Sequence, residues 1–283
     1  MKTDKPKIGI IGCGFVGSAV AAGFSLKADM KIYDKYKQGF DTIEDVCGQD
    51  IIFLCLPTPM RKSDRMPEMS FIHTAIKELL WNMTGQQCEQ KKVLVIKSTV
   101  LPGTNRKLQQ MYPQFHFISN PEFLTARSAR LDFINAARIV LGGNNQSALL
   151  KVYNLYRTVF THTKLYACTW EEAEMVKYMA NCFFALKLSY LNEIFVMCKN
   201  GCNFSTVKKC FFPMAASGIR TMKSRAMTEI MDSAAPVFQR TSPLSPDGQD
   251  SRDCRSTHWK RQLKSMKESG KTSTGKYLTI RKE

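Results

Sequence analysis

Lys7-Ile8-Gly9-Ile10-Ile11-Gly12-Cys13-Gly14-Phe15-Val16-Gly17-Ser18-Ala19-Val20 joins an apolar run to a second one through a turn with glycines at three fixed positions. The first run reads as a strand, and the second, continuing through Ala22 and Phe24, as a helix. In such a unit Gly12 permits the tight turn, Gly14 lets backbone N–H groups approach a pyrophosphate, and Gly17 lets the helix pack close to the strand. The helix N-terminus then offers unpaired N–H groups to phosphate, with Cys13, Phe15 and Val16 supplying the backbone between the glycines. A secretory leader is the rival reading, because Lys2, Lys5 and Lys7 precede apolar residues that end in small ones. The glycine spacing favours the dinucleotide reading, as do a second short strand at Met30-Lys31-Ile32-Tyr33 and Asp34 at its end. Asp34 lies where a carboxylate would accept hydrogen bonds from the adenosine ribose and repel a 2′-phosphate. The expected cofactor is therefore NAD rather than NADP, although Lys35 and Lys37 pull against that preference.

Outward from this unit, strand and helix patterns alternate. Ile51-Ile52-Phe53-Leu54-Cys55-Leu56 is a continuous apolar run of the kind a parallel strand shows when both its faces are covered. It stops at Pro57-Thr58-Pro59. Phe71, Ile72, Ala75, Ile76, Leu79, Leu80 and Met83 repeat at three and four, as on an amphipathic helix. Val93-Leu94-Val95-Ile96, Phe115-His116-Phe117-Ile118 and Arg138-Ile139-Val140-Leu141 complete six strand-like runs. The pattern predicts an α/β chain with a Rossmann-type, doubly wound parallel sheet over residues 1–145. Pro57 and Thr58 after the third strand, and Ser98 and Thr99 after the fourth, are expected cofactor contacts. Residues 146–209 read as a helical central region, in which a helix from Gln146 to about Phe160 precedes a longer one from Trp170 or Glu171 toward Lys199. On the longer helix Lys177 and Asn181 are four apart and project from one face, amid Met175, Val176, Tyr178, Met179, Phe183 and Phe184.

Composition narrows the classes. At 283 residues and 44% hydrophobic, the chain can bury a sizeable core. The most apolar stretch, Cys182 to Cys198, is interrupted by Lys187, Asn192 and Glu193, so no membrane span is expected. Ten cysteines without a C-x-x-C pair fit reduced thiols and a cytoplasmic location. Cys198 and Cys202 read as packing residues, and no metal-ligand set is read. The net charge of +17 is unevenly spread: residues 205–283 carry 16 Lys and Arg against 7 Asp and Glu, a net +9.

Four stretches together resemble the UDP-glucose/GDP-mannose 6-dehydrogenase family. They are the glycine turn, Lys97-Ser98-Thr99-Val100 with Pro102-Gly103-Thr104, Asn120-Pro121-Glu122-Phe123-Leu124, and Glu171-x-x-Glu174-Met175-x-Lys177-Tyr178-x-x-Asn181. The resemblance covers roughly residues 7–209. It implies oxidation of a sugar C6 alcohol to a carboxylate, with two NAD molecules reduced in turn. A cysteine thiolate would capture the intermediate aldehyde, and the second hydride transfer would leave a thioester for water to hydrolyse. It further implies that Lys177 and Asn181 stabilise charge on the C6 oxygen and that Glu122 helps activate the hydrolytic water. By the same resemblance Thr99 positions water or the nicotinamide, Phe123 and Leu124 line the sugar site, and two chains pair through the 171–199 helix. The implied substrate is a nucleotide sugar, with UDP-glucose favoured.

This chain departs from the family pattern in two places. Four residues after Glu122, where the family usually has a second glutamate, stands Ala126. The family's G-F-G-G-x-C-x-P-K-D nucleophile signature is absent, and Cys210-Phe211-Phe212-Pro213 is a decoy without the flanking glycines or Lys-Asp. Residues 210–283 read as an aberrant, disordered basic tail. Yet the missing signature is encodable there out of frame. With an offset of two bases, Met231-Asp232 must give Gly and Met227-Thr228 must give Asp, since methionine has one codon. Asp232 through Thr241 then permit Phe-Gly-Gly-Thr-Cys-Phe-Pro-Lys-Asp in order, and Lys223 to Ala226 permit Val-Pro-Gly. A frameshift around residues 205–218 is the expected cause, so the tail's charge is not read as a nucleic-acid surface. Two alternatives stand beside this reading: a β-hydroxyacid dehydrogenase, and a non-catalytic NAD-binding dimeriser or basic nucleic-acid binder.

Overall fold

The computed structural model describes residues 5–64, 66–85, 87, 91–198 and 201–218. Two compact units divide between Met197 and Cys198.

The first unit is built on a seven-stranded sheet in the order β2-β1-β3-β4-β5-β6-β7. Its strands are β1 (Lys7–Ile11), β2 (Asp29–Tyr33), β3 (Ile51–Leu54), β4 (Val93–Ile96), β5 (His116–Ser119), β6 (Arg138–Gly142) and β7 (Lys164–Cys168). β1 lies between β2 and β3, with Ile10 opposite both Ile32 and Phe53. Strands β1 to β5 are mutually parallel. Their helices are α1 (Phe15–Phe24), α2 (Ile43–Cys47), α3 (Ser70–Asn82) and α4 (Thr104–Met111), and α5 (Ala129–Ile134), α6 (Gln146–Arg157) and α7 (Trp170–Cys198) follow.

The continuous apolar runs become fully covered central strands, as every residue of β3 and β4 is buried. On one sheet face Phe24, Phe53, Phe133, Tyr156 and Phe160 form an aromatic cluster with mostly edge-on and tilted rings, joined by Ile8, Ile10 and Val95. Ile52, Leu54, Leu94 and Ile96 face the other way, onto Ile72, Ile76 and Leu79 of α3 and Leu108 of α4. Each such side chain contributes roughly 1.5–3 kcal/mol by burial. Local sequence sets the helix starts. Thr42 and Asp45 form a capping box at α2, and the Asn145 side chain accepts from the Ala148 N–H at 2.8 Å to open α6.

The sheet corrects the sequence reading in two details. β7 was not expected: its apolar run, Leu165-Tyr166-Ala167-Cys168, is short, and at the sheet edge its residues are exposed or half-buried. β6 runs antiparallel to β5, whereas a wholly parallel sheet was expected. The segment between them holds only the six-residue α5, so β6 sets out from the end of the sheet at which β5 stops.

In the second unit, α8 (Phe204–Gly218) continues past Lys209, beyond which the sequence reading expects regular periodicity to end. Residues 219–283, including the segment read as carrying the out-of-frame signature, lie outside the described residues. Among the described residues no helix is long and apolar enough to cross a membrane.

Candidate active site

The glycine turn has the geometry its three glycines require. Gly12 sits at φ +90°, and a side chain there would meet the Cys55 carbonyl oxygen at 2.6 Å. Gly17 packs so tightly that a Cβ would lie 1.9 Å from the Gly12 carbonyl oxygen. Gly14, the N-cap of α1, has nothing within 4 Å of the corresponding position. That open space lies over a helix start with no acidic residue in its first turn, so the N–H dipoles there are not neutralised from within the helix. These residues fit a dinucleotide pyrophosphate.

Asp34 faces this turn from the end of β2. Its Oδ2 accepts from the Cys13 N–H at 2.7 Å and its Oδ1 from the Tyr36 N–H at 3.1 Å. Both basic neighbours that pull toward NADP are engaged: Lys35 pairs with Glu78, and Lys37 donates to the Cys13 carbonyl at 2.6 Å. The ribose end of the cradle thus presents a carboxylate. Ser98 Oγ donates to Leu56 O at 2.6 Å and Thr58 Oγ1 to Thr99 O at 2.8 Å, which ties the strand ends together. Pro57 is exposed and Thr58 half-buried beside them. Neither nearby thiol is activated. Burial raises Cys13, with Lys37 pulling the other way, and burial pushes Cys55 up to about 12.

The second half of the site lies where β5 ends. Lys177 Nζ, buried on α7, donates to the Glu122 carbonyl at 2.7 Å and to its Oε1 at 2.8 Å. Glu122 Oε2 accepts from the Leu124 N–H at 2.6 Å, which folds the loop back on itself. Two of the three ammonium donors are spent on Glu122, leaving a direction for an anionic oxygen. The Phe123 ring lies between two cations, 4.3 Å from the Arg138 guanidinium carbon and 5.7 Å from Lys177 Nζ. Asn181, one turn beyond Lys177, is exposed, as are Met175, Met179 and Phe183, so the apolar surround of the lysine lies off the sheet. Ala126 is exposed too, and the loop before it is held from Asp132, whose Oδ2 accepts from the Thr125 N–H and the Thr125 and Ser128 hydroxyls.

Beneath both halves lies a buried polar knot whose roles the sequence reading did not assign. Lys97 Nζ donates to Asn120 Oδ1 at 3.1 Å, Tyr156 donates to the same oxygen, and Asn120 Nδ2 donates to Val140 O at 2.8 Å. This fixes the residue from which the Glu122 loop departs. Burial lowers Lys97 to about 8, although Cys55 and Glu122 raise it. A lysine and an asparagine at the ends of buried strands were the available signal.

Comparison with known proteins agrees with this geometry. Residues 28–160 match the NAD binding domain of the UDP-glucose/GDP-mannose dehydrogenase family, and residues 171–222 match its central domain. The chain belongs to the UDP-glucose/GDP-mannose dehydrogenase family. UDP-glucose 6-dehydrogenase from Rhizobium meliloti is 31% identical over 58% of this chain and 39% of its own length. The Bacillus subtilis UDP-glucose 6-dehydrogenase TuaD is 33% identical over 54% of this chain and 33% of its own. The chain therefore spans well under half of either relative. A UDP-glucose dehydrogenase from Pyrobaculum islandicum superposes with a TM-score of 0.64 at 24% identity, over 74% of this chain and 57% of that one, which shows the shared fold. The match to the family's NAD binding domain starts at residue 28, after the glycine turn, so the turn rests on its own geometry. NAD is the cofactor of this family domain, and the glycine turn and Asp34 are shaped for it.

Proposed function

We propose that this polypeptide is a cytoplasmic nucleotide-sugar 6-dehydrogenase by descent, with UDP-glucose as the favoured substrate, and that it does not complete the reaction. The observation that carries the reading is the buried Lys177–Glu122 pair at the end of β5, on the same unit as a glycine turn open to a dinucleotide. In this reading Lys177 and Asn181 stabilise charge on the sugar C6 oxygen as hydride leaves for NAD, and Thr99 orients the nicotinamide or water. Phe123 and Leu124 line the sugar site, and Glu122 serves the hydrolytic step once Lys177 turns to substrate. The relatives' names support the substrate class.

The impairment follows from chemistry. Capture of the aldehyde needs a thiolate, the family signature that supplies it is absent in frame, and Cys13 and Cys55 are held as thiols. The reading-frame change expected around residues 205–218 accounts for the loss. Exposed Met175, Met179, Leu186 and Tyr190 along α7 support pairing of two chains through that helix. The test is NAD reduction by the full chain with UDP-glucose, GDP-mannose and a small β-hydroxyacid. The expected result is NAD binding without sustained turnover. Turnover of a nucleotide sugar would refute the impairment, and turnover of the hydroxyacid alone would favour the second enzyme reading. The coding DNA gives an independent test: codons that cannot spell the signature in the shifted frame end the frameshift account.

A further inference from the structure

α4 opens on Gly103, which has no side chain to cap it and sits at φ +88°. The Thr104 N–H finds the Leu101 carbonyl at 3.0 Å, but the N–H groups of Gly103 and Asn105 lack a local acceptor. They do not lack a distant one. Glu174, buried on α7, accepts from the Gly103 N–H at 2.6 Å through Oε2, and through Oε1 from the Asn105 N–H and from Asn105 Nδ2, both at 2.8 Å. Glu174 thus acts as the N-cap of a helix some seventy residues earlier in the chain, in place of the Ser, Thr, Asp or Asn that would normally stand there. The carboxylate also meets the positive end of the α4 dipole.

The same contact links the two halves of the site. Gly103 closes the loop that begins at Lys97 and carries Ser98 and Thr99, while Glu174 lies three residues before Lys177, on the adjoining face of the same helix. Two further contacts flank it. Trp170 Nε1 donates to Phe117 O on β5 at 2.8 Å, and exposed Arg106 pairs with Glu171 at 2.7 Å. Of these, only Glu174 touches the backbone of the Thr99 loop.

We infer that Glu174 is a positioning residue: by capping α4 from α7 it fixes the register in which Lys177 meets Glu122 and ties that register to the Thr99 loop. The functional weight of this assignment rests on the proposed role of Lys177; the clamp itself does not. One detail specifies the chemistry. Asn105 is fully buried, and its Oδ1 has no hydrogen-bond partner among the described residues. Turning that amide over would set Oδ1 against the Glu174 carboxylate, so the ionised residue holds Asn105 in its present orientation with its oxygen unpaired. A glutamine at 174 would offer one acceptor oxygen where the carboxylate offers two, so it could keep the Asn105 donors on Oε1 while its NH2 opposed the Gly103 N–H. Burial raises the carboxyl of Glu174 while the Asn105 and Gly103 donors lower it, and the charged neighbours are Glu171 on α7 and Arg106 on α4.

The test is reductive methylation of the full chain without cofactor or sugar, with each lysine quantified by peptide mass spectrometry. Glu174→Ala should speed labelling of Lys177 by about tenfold or more while Lys97, buried at the end of β4, stays protected. Glu174→Gln, which keeps one of the two acceptor oxygens, should speed Lys177 less than Glu174→Ala does, and Glu171→Ala should leave it within about twofold, as expected for an exposed pair. Three results would overturn the assignment: an unchanged Lys177 in Glu174→Ala, Lys97 and Lys177 rising together, or Glu171→Ala opening Lys177 as far as Glu174→Ala. Because no NAD or sugar enters the assay, its failure is distinct from failure of the dehydrogenase reading, which shows in NAD reduction.

Discussion

The cofactor cradle and the Lys177 seam are built by opposite means. The cradle is made largely of backbone, over a short span: Gly12, Gly14 and Gly17 act through what they lack, and Asp34 is the one carboxylate added to them. Along the seam, side chains far apart in sequence meet: Lys177 with Glu122, Glu174 with Gly103 and Asn105, Trp170 with Phe117. A backbone cradle fails all at once when a side chain is forced into it, whereas a seam of side chains fails one contact at a time.

Substitutions can break this contrast in order of size. Gly17→Ala places a methyl where the Gly12 carbonyl oxygen stands, and should cost about 4 kcal/mol or more in denaturant unfolding and weaken NAD binding by roughly 100-fold. A normal affinity in that variant would show that the turn is not the cradle. Glu122→Ala leaves the Lys177 ammonium buried without its carboxylate and should cost about 3 kcal/mol, recovered in large part by Glu122→Leu with Lys177→Met. Recovery that fails would mean that the pair stabilises rather than specifies.

Lys97 supplies a pH-dependent test. Its folded pKa of about 8 lies below its ordinary 10.5, so the unfolded chain binds the extra proton between those values, and stability rises with pH across that window. The rise should be on the order of 3 kcal/mol, and Lys97→Met should flatten that part of the profile. Stability falling through the same window would contradict the burial of a charged lysine. Trp170→Phe, which removes one N–H donor from the Phe117 carbonyl, should cost about 1 kcal/mol and is the smallest of these effects.

Legibility in the sequence followed the same division. The glycine turn and Asp34 could be read because their chemistry sits at fixed short spacing, and β1, β3 and β4 because strands covered on both faces are apolar throughout. β7 was missed because its short run Leu165-Tyr166-Ala167-Cys168 is only half-covered at the sheet edge and lies between two helical patterns, and the reversed β6 left no mark because direction depends on where the connection lies rather than on composition. Lys177 and Glu122 were found by resemblance, and their contact across the fold is a tertiary fact. Glu174 was visible only as a polar interruption on an apolar helix. Its role as acceptor for the Gly103 and Asn105 N–H groups is a relation between distant residues that periodicity cannot show.

The most direct test of the account is calorimetric titration of the full chain with NAD and with NADP. The cradle predicts saturable binding of NAD, and of NADP at least about tenfold more weakly because Asp34 repels the 2′-phosphate. No saturable NAD binding, or tighter binding of NADP, would contradict it.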